Sequence, residues 1–186
     1  MQLSDEIRID APREQVFAAL NDPEILKKAI PGCEKIEQVS ETKLVATVVT
    51  RIGPIKAKFK GQVTLSDLNP PESYTISGEG TGGSAGFAKG GAKVTLEADG
   101  TATILHYEVQ ADVGGKLAQL GGRLIEGTAK KLAGEFFNSF RDAVAGPAEE
   151  GVAEVAAEKA EPGGVNPMVW IAGGAVALIV LYLLVG

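Results

Sequence analysis

The chain has 186 residues, of which 45% are hydrophobic and 23% charged, a composition typical of a folded domain rather than of wholesale disorder. Its formal net charge of −6 argues against non-specific nucleic-acid binding. The single cysteine, Cys33, excludes an intrachain disulfide framework, and the single histidine, His106, excludes a multi-histidine metal site. We therefore expect neither a metal centre nor a catalytic residue.

The first thirty residues predict one strand and two short helices. Residues 2–9 interleave polar and apolar side chains, as a half-buried strand does. Pro12 begins a helix with an apolar stripe, which the breaker Asn21-Asp22-Pro23 ends. A second short helix runs to about Ile30, before a Pro-Gly turn.

Residues 44–113 predict a series of antiparallel strands. Apolar and polar side chains alternate over 44–52 and 55–65, and further strands follow at 73–80, 87–98 and 101–113. From 116 to about 144 the apolar period becomes helical. The order of strand, two short helices, about six strands and one long helix indicates an α+β domain over residues 1–145. A long helix across a curved sheet is expected to leave an apolar pocket.

Residues 146–167 predict a flexible linker, and residues 168–186 a transmembrane anchor. The linker carries five Glu and one Lys and is rich in Ala, Gly and Pro. The last 19 residues carry no charge and would form a helix of about 28 Å, close to the thickness of a bilayer core. The alternative is a buried core helix. Because the N-terminus lacks the apolar stretch of a signal peptide, we expect the domain on the cytoplasmic side of the membrane.

The inward-facing side chains of the strands and the long helix are candidates for lining a ligand pocket. The alternative for each of them is ordinary core packing. Hydroxyl groups matter most, because a few polar groups orient a ligand in an apolar pocket, and either Tyr74 or Tyr107 could donate a hydrogen bond to a ligand. The candidates are Val48, Thr50, Phe59, Tyr74, Ile76, Tyr107, Leu120, Leu124 and Thr128.

The glycine-rich run 78–91 supports three interpretations. It contains Gly78-x-Gly80-x-x-Gly83, but no βαβ context favours a dinucleotide site. It is otherwise a wide hairpin loop, or a mobile lip over the pocket in which Phe87 contacts the ligand or a bilayer.

A basic strand face is the remaining candidate surface. It consists of Arg51, Lys56, Lys58 and Lys60, which Lys89 and Lys93 would extend. Such a face is either simply solvated, protecting a sheet edge, or binds anionic lipid headgroups or an acidic partner. His106 is expected on the outward face of its strand, and Cys33 is expected to be a structural thiol.

Several segments together resemble the CoxG family of carbon monoxide dehydrogenase accessory proteins, within the START-like (Bet v 1-like, SRPBCC) superfamily. The resemblance covers roughly residues 1–143. It is carried by NDPE at 21–24, IPGCE at 30–34, GPIK at 53–56, FKG at 59–61, SGEG at 77–80, GFAKG at 86–90 and GGKLAQLG at 114–121. It implies a helix-grip fold with a hydrophobic ligand cavity.

The resemblance also implies a function. The expected protein is a non-catalytic, membrane-anchored accessory of a molybdenum-containing carbon monoxide dehydrogenase or related hydroxylase. It would recruit that enzyme to the cytoplasmic membrane and exchange a respiratory quinone, menaquinone or ubiquinone, with it. The alternatives are an anchor or assembly factor without ligand transport, and a cyclase- or dehydratase-type enzyme on the same fold.

Overall fold

A seven-stranded antiparallel sheet with one long helix across it makes up the computed structural model, which describes residues 2–145. The sheet order is β1-β7-β6-β5-β4-β3-β2. The predicted linker and transmembrane anchor lie outside the described residues, and within 2–145 no helix is long and apolar enough to cross a membrane. The elements are β1 (Gln2–Ile9), α1 (Arg13–Leu20), α2 (Pro23–Ala29), β2 (Cys33–Ser40), β3 (Lys43–Ile52), β4 (Ile55–Asn69), β5 (Ser73–Thr81), β6 (Phe87–Asp99), β7 (Ala102–Gly114) and α3 (Gly122–Ala145).

The alternation read from the sequence corresponds to the two faces of the sheet. On β4, Phe59, Val63 and Leu65 are buried on the inner face, the one that α3 covers. Lys58 and Lys60 are exposed on the outer face. The predicted α+β class and the order of its elements are confirmed, and a sheet with a long C-terminal helix across it is consistent with the helix-grip arrangement.

The long helix begins later than the sequence period suggests. Residues 118–120 form a separate 3-10 turn, and α3 starts at Gly122. Gly121 lies between them with a φ of +85°, a left-handed conformation that favours glycine and interrupts the helical path. Apolar spacing continues through this break, so the period alone predicts one helix where the structure has two segments.

Aromatic side chains fill the core where the second half of α3 crosses the sheet. Phe136, Phe137 and Phe140 are completely buried. The ring of Phe137 stacks on Tyr107 with centroids 5.4 Å apart, and Phe17 of α1 meets Tyr74 edge-on at 5.7 Å. This cluster fixes α3 and α1 against β5 and β7.

The two ends of the domain differ, and we name them by what they carry. The loop end consists of the β3–β4 turn at 53–54, the β5–β6 connection at 82–86 and the β7–α3 connection at 115–121. The exit end holds the β1–α1, β2–β3, β4–β5 and β6–β7 connections and the end of α3, where the chain leaves the domain. There Gln15 Nε2 donates to the Val144 carbonyl at 3.0 Å.

Phe136→Ala is expected to lower the free energy of unfolding by about 3–5 kcal/mol, because it leaves a cavity in a closely packed core. Urea denaturation followed by circular dichroism measures the change. Val39→Ala is the control, since Val39 is 56% exposed and its truncation should change stability by about 0.5 kcal/mol or less. Equal losses in the two variants would show that the aromatic cluster is not the main support of α3.

Alkaline pH should destabilise the domain through Tyr107. Burial, with a further contribution from Asp5, raises the pKa of Tyr107 to about 12, against about 10 in an unfolded chain. Between those values the unfolded state loses its proton first, so stability falls as the pH rises. Tyr107→Phe keeps the ring stack and should flatten this part of the urea-measured profile. An unchanged slope would contradict the assignment.

Candidate functional site

The structure divides the ten predicted ligand-lining residues into three groups. Five of them are buried in the wall of the core: Val48, Phe59, Tyr74, Ile76 and Tyr107. Thr50, Leu120 and Thr128 are half-buried, and Leu124 is 42% exposed. Phe87 is 49% exposed on the outer face.

An apolar mouth lies where the first turns of α3 approach the β3–β4 hairpin. Leu124 reaches the hairpin turn, since a Cβ on Gly53 would lie 2.8 Å from Leu124 Cδ2. Thr50 and Ala57 face each other on the inner side of this hairpin and are half-buried. Ile125 and Ala129 are buried beneath the same turns, so only the edge of α3 that carries Leu124 and Thr128 is partly open here. We call Thr50, Ala57, Leu120, Leu124 and Thr128 the mouth.

The glycine-rich run closes the sheet beside this mouth. Residues 77–81 and 87–91 pair in register as the ends of β5 and β6, which leaves only 82–86 as a loop. The ring of Phe59 packs against Gly82, where an added Cβ would lie 2.5 Å from it. The run is thus a hairpin connection folded over an inner-face aromatic, with no βαβ unit. Its mobility stays a prediction.

Two glycines let this loop touch the β7–α3 connection through backbone alone. Gly86 and Gly115 both have positive φ, and a Cβ on Gly115 would lie 2.6 Å from Gly86 Cα. A hydrogen bond from Leu117 N to Ala85 O at 3.0 Å joins the same two segments. Both Leu117 and Ala85 are buried, so the loops form a closed cover over this end of the core.

The two tyrosines lie far from the mouth. Tyr74 is seven residues from the loop end of β5, and Tyr107 is seven from the loop end of β7, or about 23 Å along each strand. Burial raises the pKa of both phenols, so both stay neutral. The hydroxyls that border the mouth belong to Thr50 and Thr128, and Thr128 donates to the Leu124 carbonyl at 2.8 Å.

A groove with a volume of about 580 Å³ lies on the outer face of the sheet. We call it the outer groove. Of the ten candidates, Phe87 lines this groove. Cross-strand register brings its walls together, which periodicity within one strand does not reveal. The lining residues are Val45, Lys60, Gly61, Gln62, Glu79, Gly80, Thr81, Phe87, Ala88 and Lys89.

The basic residues occupy the outer face of the β3–β4 hairpin, as the alternation predicts. Arg51 lies opposite Lys56 in the register of the β3–β4 hairpin, and Lys58 forms an ion pair with Glu34 at 2.7 Å. Among the described residues, Arg51, Lys56 and Lys60 have no carboxylate within 4.0 Å. This face is therefore left with unneutralised charge close to the mouth.

His106 and Cys33 occupy positions outside the mouth. His106 is on the outer face, with its ring nitrogens 3.5 and 3.7 Å from the carboxylates of Glu6 and Glu97. Cys33 is half-buried, and burial raises the pKa of its thiol, which disfavours the nucleophilic thiolate. Within residues 2–145, no group of three or more His, Cys, Asp or Glu side chains is placed to hold a metal ion.

Solved structures share this fold. A conserved protein from Geobacillus kaustophilus is 32% identical, with a TM-score of 0.74, over 78% of this chain and 95% of its own. A START superfamily protein from Mycobacterium smegmatis is 13% identical (77% and 97% covered, TM-score 0.60). An aromatase/cyclase from Streptomyces sp. R1128 is also 13% identical (82% and 99% covered, TM-score 0.58). The last two show the fold alone. A search of curated proteins gave no significant match.

The family follows from a match over the described domain itself. The family model for the carbon monoxide dehydrogenase protein CoxG matches residues 6–145, which include all but the first four described positions. The sheet, the long helix and the START-like neighbours agree with it. The chain belongs to the carbon monoxide dehydrogenase CoxG family.

Proposed function

We propose that this chain is a membrane-anchored accessory protein of a molybdenum-containing carbon monoxide dehydrogenase or a related hydroxylase. It takes up a respiratory quinone between α3 and the sheet and exchanges it with that enzyme. Residues 168–186 hold it in the cytoplasmic membrane, and residues 1–145 face the cytoplasm. Family membership supports the accessory role and the partner.

The partly open apolar mouth is the observation that carries the ligand-binding half of the proposal. Phe136 and Phe140 of α3 are 0% exposed, whereas Leu124, three to four turns earlier on the same helix, is 42% exposed. Ile125 and Ala129, on the same turns as Leu124, are buried, so the exposed apolar strip is the edge of the helix that faces the β3–β4 hairpin, and it offers an apolar entrance without disturbing the core. Apolar lining with a few polar groups is typical of sites for small lipophilic molecules.

The mouth fits a quinone in chemical terms. A quinone head presents two carbonyl acceptors and an apolar ring, and its isoprenoid tail is wholly apolar. Leu120, Leu124 and Ala57 supply apolar contact, and the Thr50 hydroxyl is available as a donor. The Thr128 hydroxyl already donates to the Leu124 carbonyl, so Thr50 is the better orienting group.

The proposal is non-catalytic because the interior offers no acid–base pair. Among the described residues, the buried tyrosines Tyr74 and Tyr107 lie on different strands with no buried carboxylate or imidazole, and the other buried polar side chains are Asn21 and Thr103. Both donate to backbone carbonyls, Asn21 to Phe17 and Thr103 to Ala11 at 2.7 Å. A cyclase- or dehydratase-type reaction needs convergent titratable groups in the pocket, and the mouth contains threonine and aliphatic side chains instead.

Leu124→Trp should reduce the quinone that copurifies with the full chain by about tenfold, because the larger ring fills the mouth. Mass spectrometry of lipids extracted from the protein in nanodiscs measures it. Val39→Trp is the matched control, since Val39 is also an exposed apolar residue but lies at the β2–β3 turn. Quinone bound equally by both variants, or by neither variant nor the parent, would contradict binding at the mouth.

Replacing residues 1–145 should distinguish quinone transport by the domain from membrane anchoring by the tail. We expect an unrelated soluble domain, fused to residues 146–186 in place of 1–145, to fail to restore quinone reduction driven by carbon monoxide in membranes. The full chain with only its anchor exchanged for a foreign transmembrane helix should restore it. Full restoration without residues 1–145 would favour the anchor or assembly role. The measurement is quinone reduction in membranes from cells lacking the native chain.

A further inference from the structure

The two ends of the domain carry opposite charge. At the loop end, residues 32–34, 50–60, 79–89 and 112–126 hold seven Lys or Arg and four Asp or Glu, a balance of +3. At the exit end, residues 8–14, 41–43, 67–72, 97–102 and 138–145 hold four Lys or Arg and eight Asp or Glu, a balance of −4. The domain is nearly neutral as a whole, but its positive and negative charges are therefore separated along the axis of α3.

The loop end also exposes apolar side chains. Leu124 and Phe87 are two of the three large hydrophobic side chains exposed among the described residues. Phe87 borders the outer groove together with Lys60 and Lys89, and no carboxylate of residues 2–145 lies within 4.0 Å of either ammonium group. Glu79 is the one carboxylate lining the groove, and it accepts from Gln62 Nε2 at 3.2 Å.

We propose that the loop end docks on an anionic lipid surface. Lys56, Lys60 and Lys89 lie against the headgroups, while Phe87 and Leu124 enter the interfacial layer beneath them. This inference rests on the proposed membrane anchor, and it adds the face of the domain that meets the bilayer. Docking in this pose turns the mouth toward the lipid, so that a quinone need not cross water.

Charge complementarity selects the lipid surface and the orientation. Each Lys or Arg near an anionic bilayer strengthens binding about fivefold, and exposed apolar groups among those cations suit an interface that is polar outside and apolar beneath. The exit end is acidic, and the adjoining residues 146–167 add five Glu and one Lys. An anionic surface repels both, so the domain cannot rest stably on the end from which the chain leaves.

The length of the linker permits this inverted pose. The 24 residues of α3 separate the two ends by about 36 Å. A chain running back from the exit end to the bilayer must cover that distance, and the 22 residues of 146–167 reach about 75 Å when extended. Shortening the linker below about 11 residues would therefore hold the loop end away from the membrane.

The test places a fluorophore at each end of the full chain in nanodiscs. On a Cys33→Ser background, Pro54→Cys labels the loop end and Thr101→Cys labels the exit end. Quenching by lipids with nitroxide headgroups reports contact. We expect quenching at 54 in discs that contain phosphatidylglycerol, weak quenching in phosphatidylcholine discs, and none at 101. Salt that reduces the Debye length from about 10 Å to about 3 Å should abolish it. Equal quenching at both positions, or no dependence on anionic lipid, overturns the proposal.

A pair of charge variants tests the residues. Lys56→Gln with Lys60→Gln should lower the ratio of docked to undocked domain about 25-fold. Lys43→Gln with Lys93→Gln removes the same charge from the same outer face away from the loop end, and should leave the ratio unchanged. Equal losses in both pairs would show a response to net charge alone and overturn the assignment of these residues. If the fluorophore at 54 responds only when the dehydrogenase is added, and its signal does not depend on lipid composition, the loop end binds a protein and the proposal is overturned.

A linker deletion tests the pose, and carbonate extraction separates it from the proposed function. Deleting residues 148–159 leaves ten linker residues, which reach about 34 Å when extended, and should abolish quenching at 54. Replacing residues 148–159 by a Gly/Ser segment of the same length keeps the reach of the linker and should retain the quenching. Retained quenching in the deletion overturns the inverted pose. If carbonate extracts the full chain from the membrane, the proposed anchoring by residues 168–186 is wrong. Loop-end docking is then measured by flotation of the full chain with anionic vesicles. If the double variant Lys56→Gln, Lys60→Gln floats as well as the parent, the docking proposal is overturned.

Discussion

The packing of the second half of α3 against the sheet is the constraint on which the rest of the structure depends. Phe136, Phe137 and Phe140 are completely buried, and Phe137 stacks on Tyr107. Close packing here fixes the line of the helix across the sheet. Near the loop end the inner face has the small side chains of Thr50, Ala57 and Gly61 beside buried Ile52 and Phe59, so the hairpin-facing edge of the first turns has less apolar surface beneath it. An open mouth is thus a consequence of where the large side chains are.

Glycine makes the closure of the loop end compatible with this packing. Gly86 and Gly115 approach too closely for side chains, and Gly82 allows the Phe59 ring to pack beneath the loop. The contact between the two loops consists of backbone and one hydrogen bond from Leu117 N to Ala85 O. Leu117 and Ala85, which this hydrogen bond joins, are both buried, so the two loops together close this end of the core.

The sequence predicts the architecture well because each strand alternates and α3 keeps its period. It does not predict how residues of different strands meet. Lys60, Glu79 and Lys89 line one groove only because β4, β5 and β6 pair in one register, and a shift of one residue would move each to the other face. For the same reason Tyr74 and Tyr107, which share the inward pattern with Thr50, are placed about 23 Å from the loop end. Periodicity gives the face of a residue but not its position along the pocket.

The distribution of charge follows from the same topology. In an antiparallel sheet alternate turns lie at opposite ends, so the basic β3–β4 hairpin and the acidic turns at 67–72 and 97–102 separate without any long-range design. The helix then carries the chain from the basic end to the acidic end, and the acidic linker continues from there. A charged surface that attracts one end repels the other. The order of the turns thus determines which end of the domain faces a charged surface. The length of the linker determines whether the domain can reach that orientation.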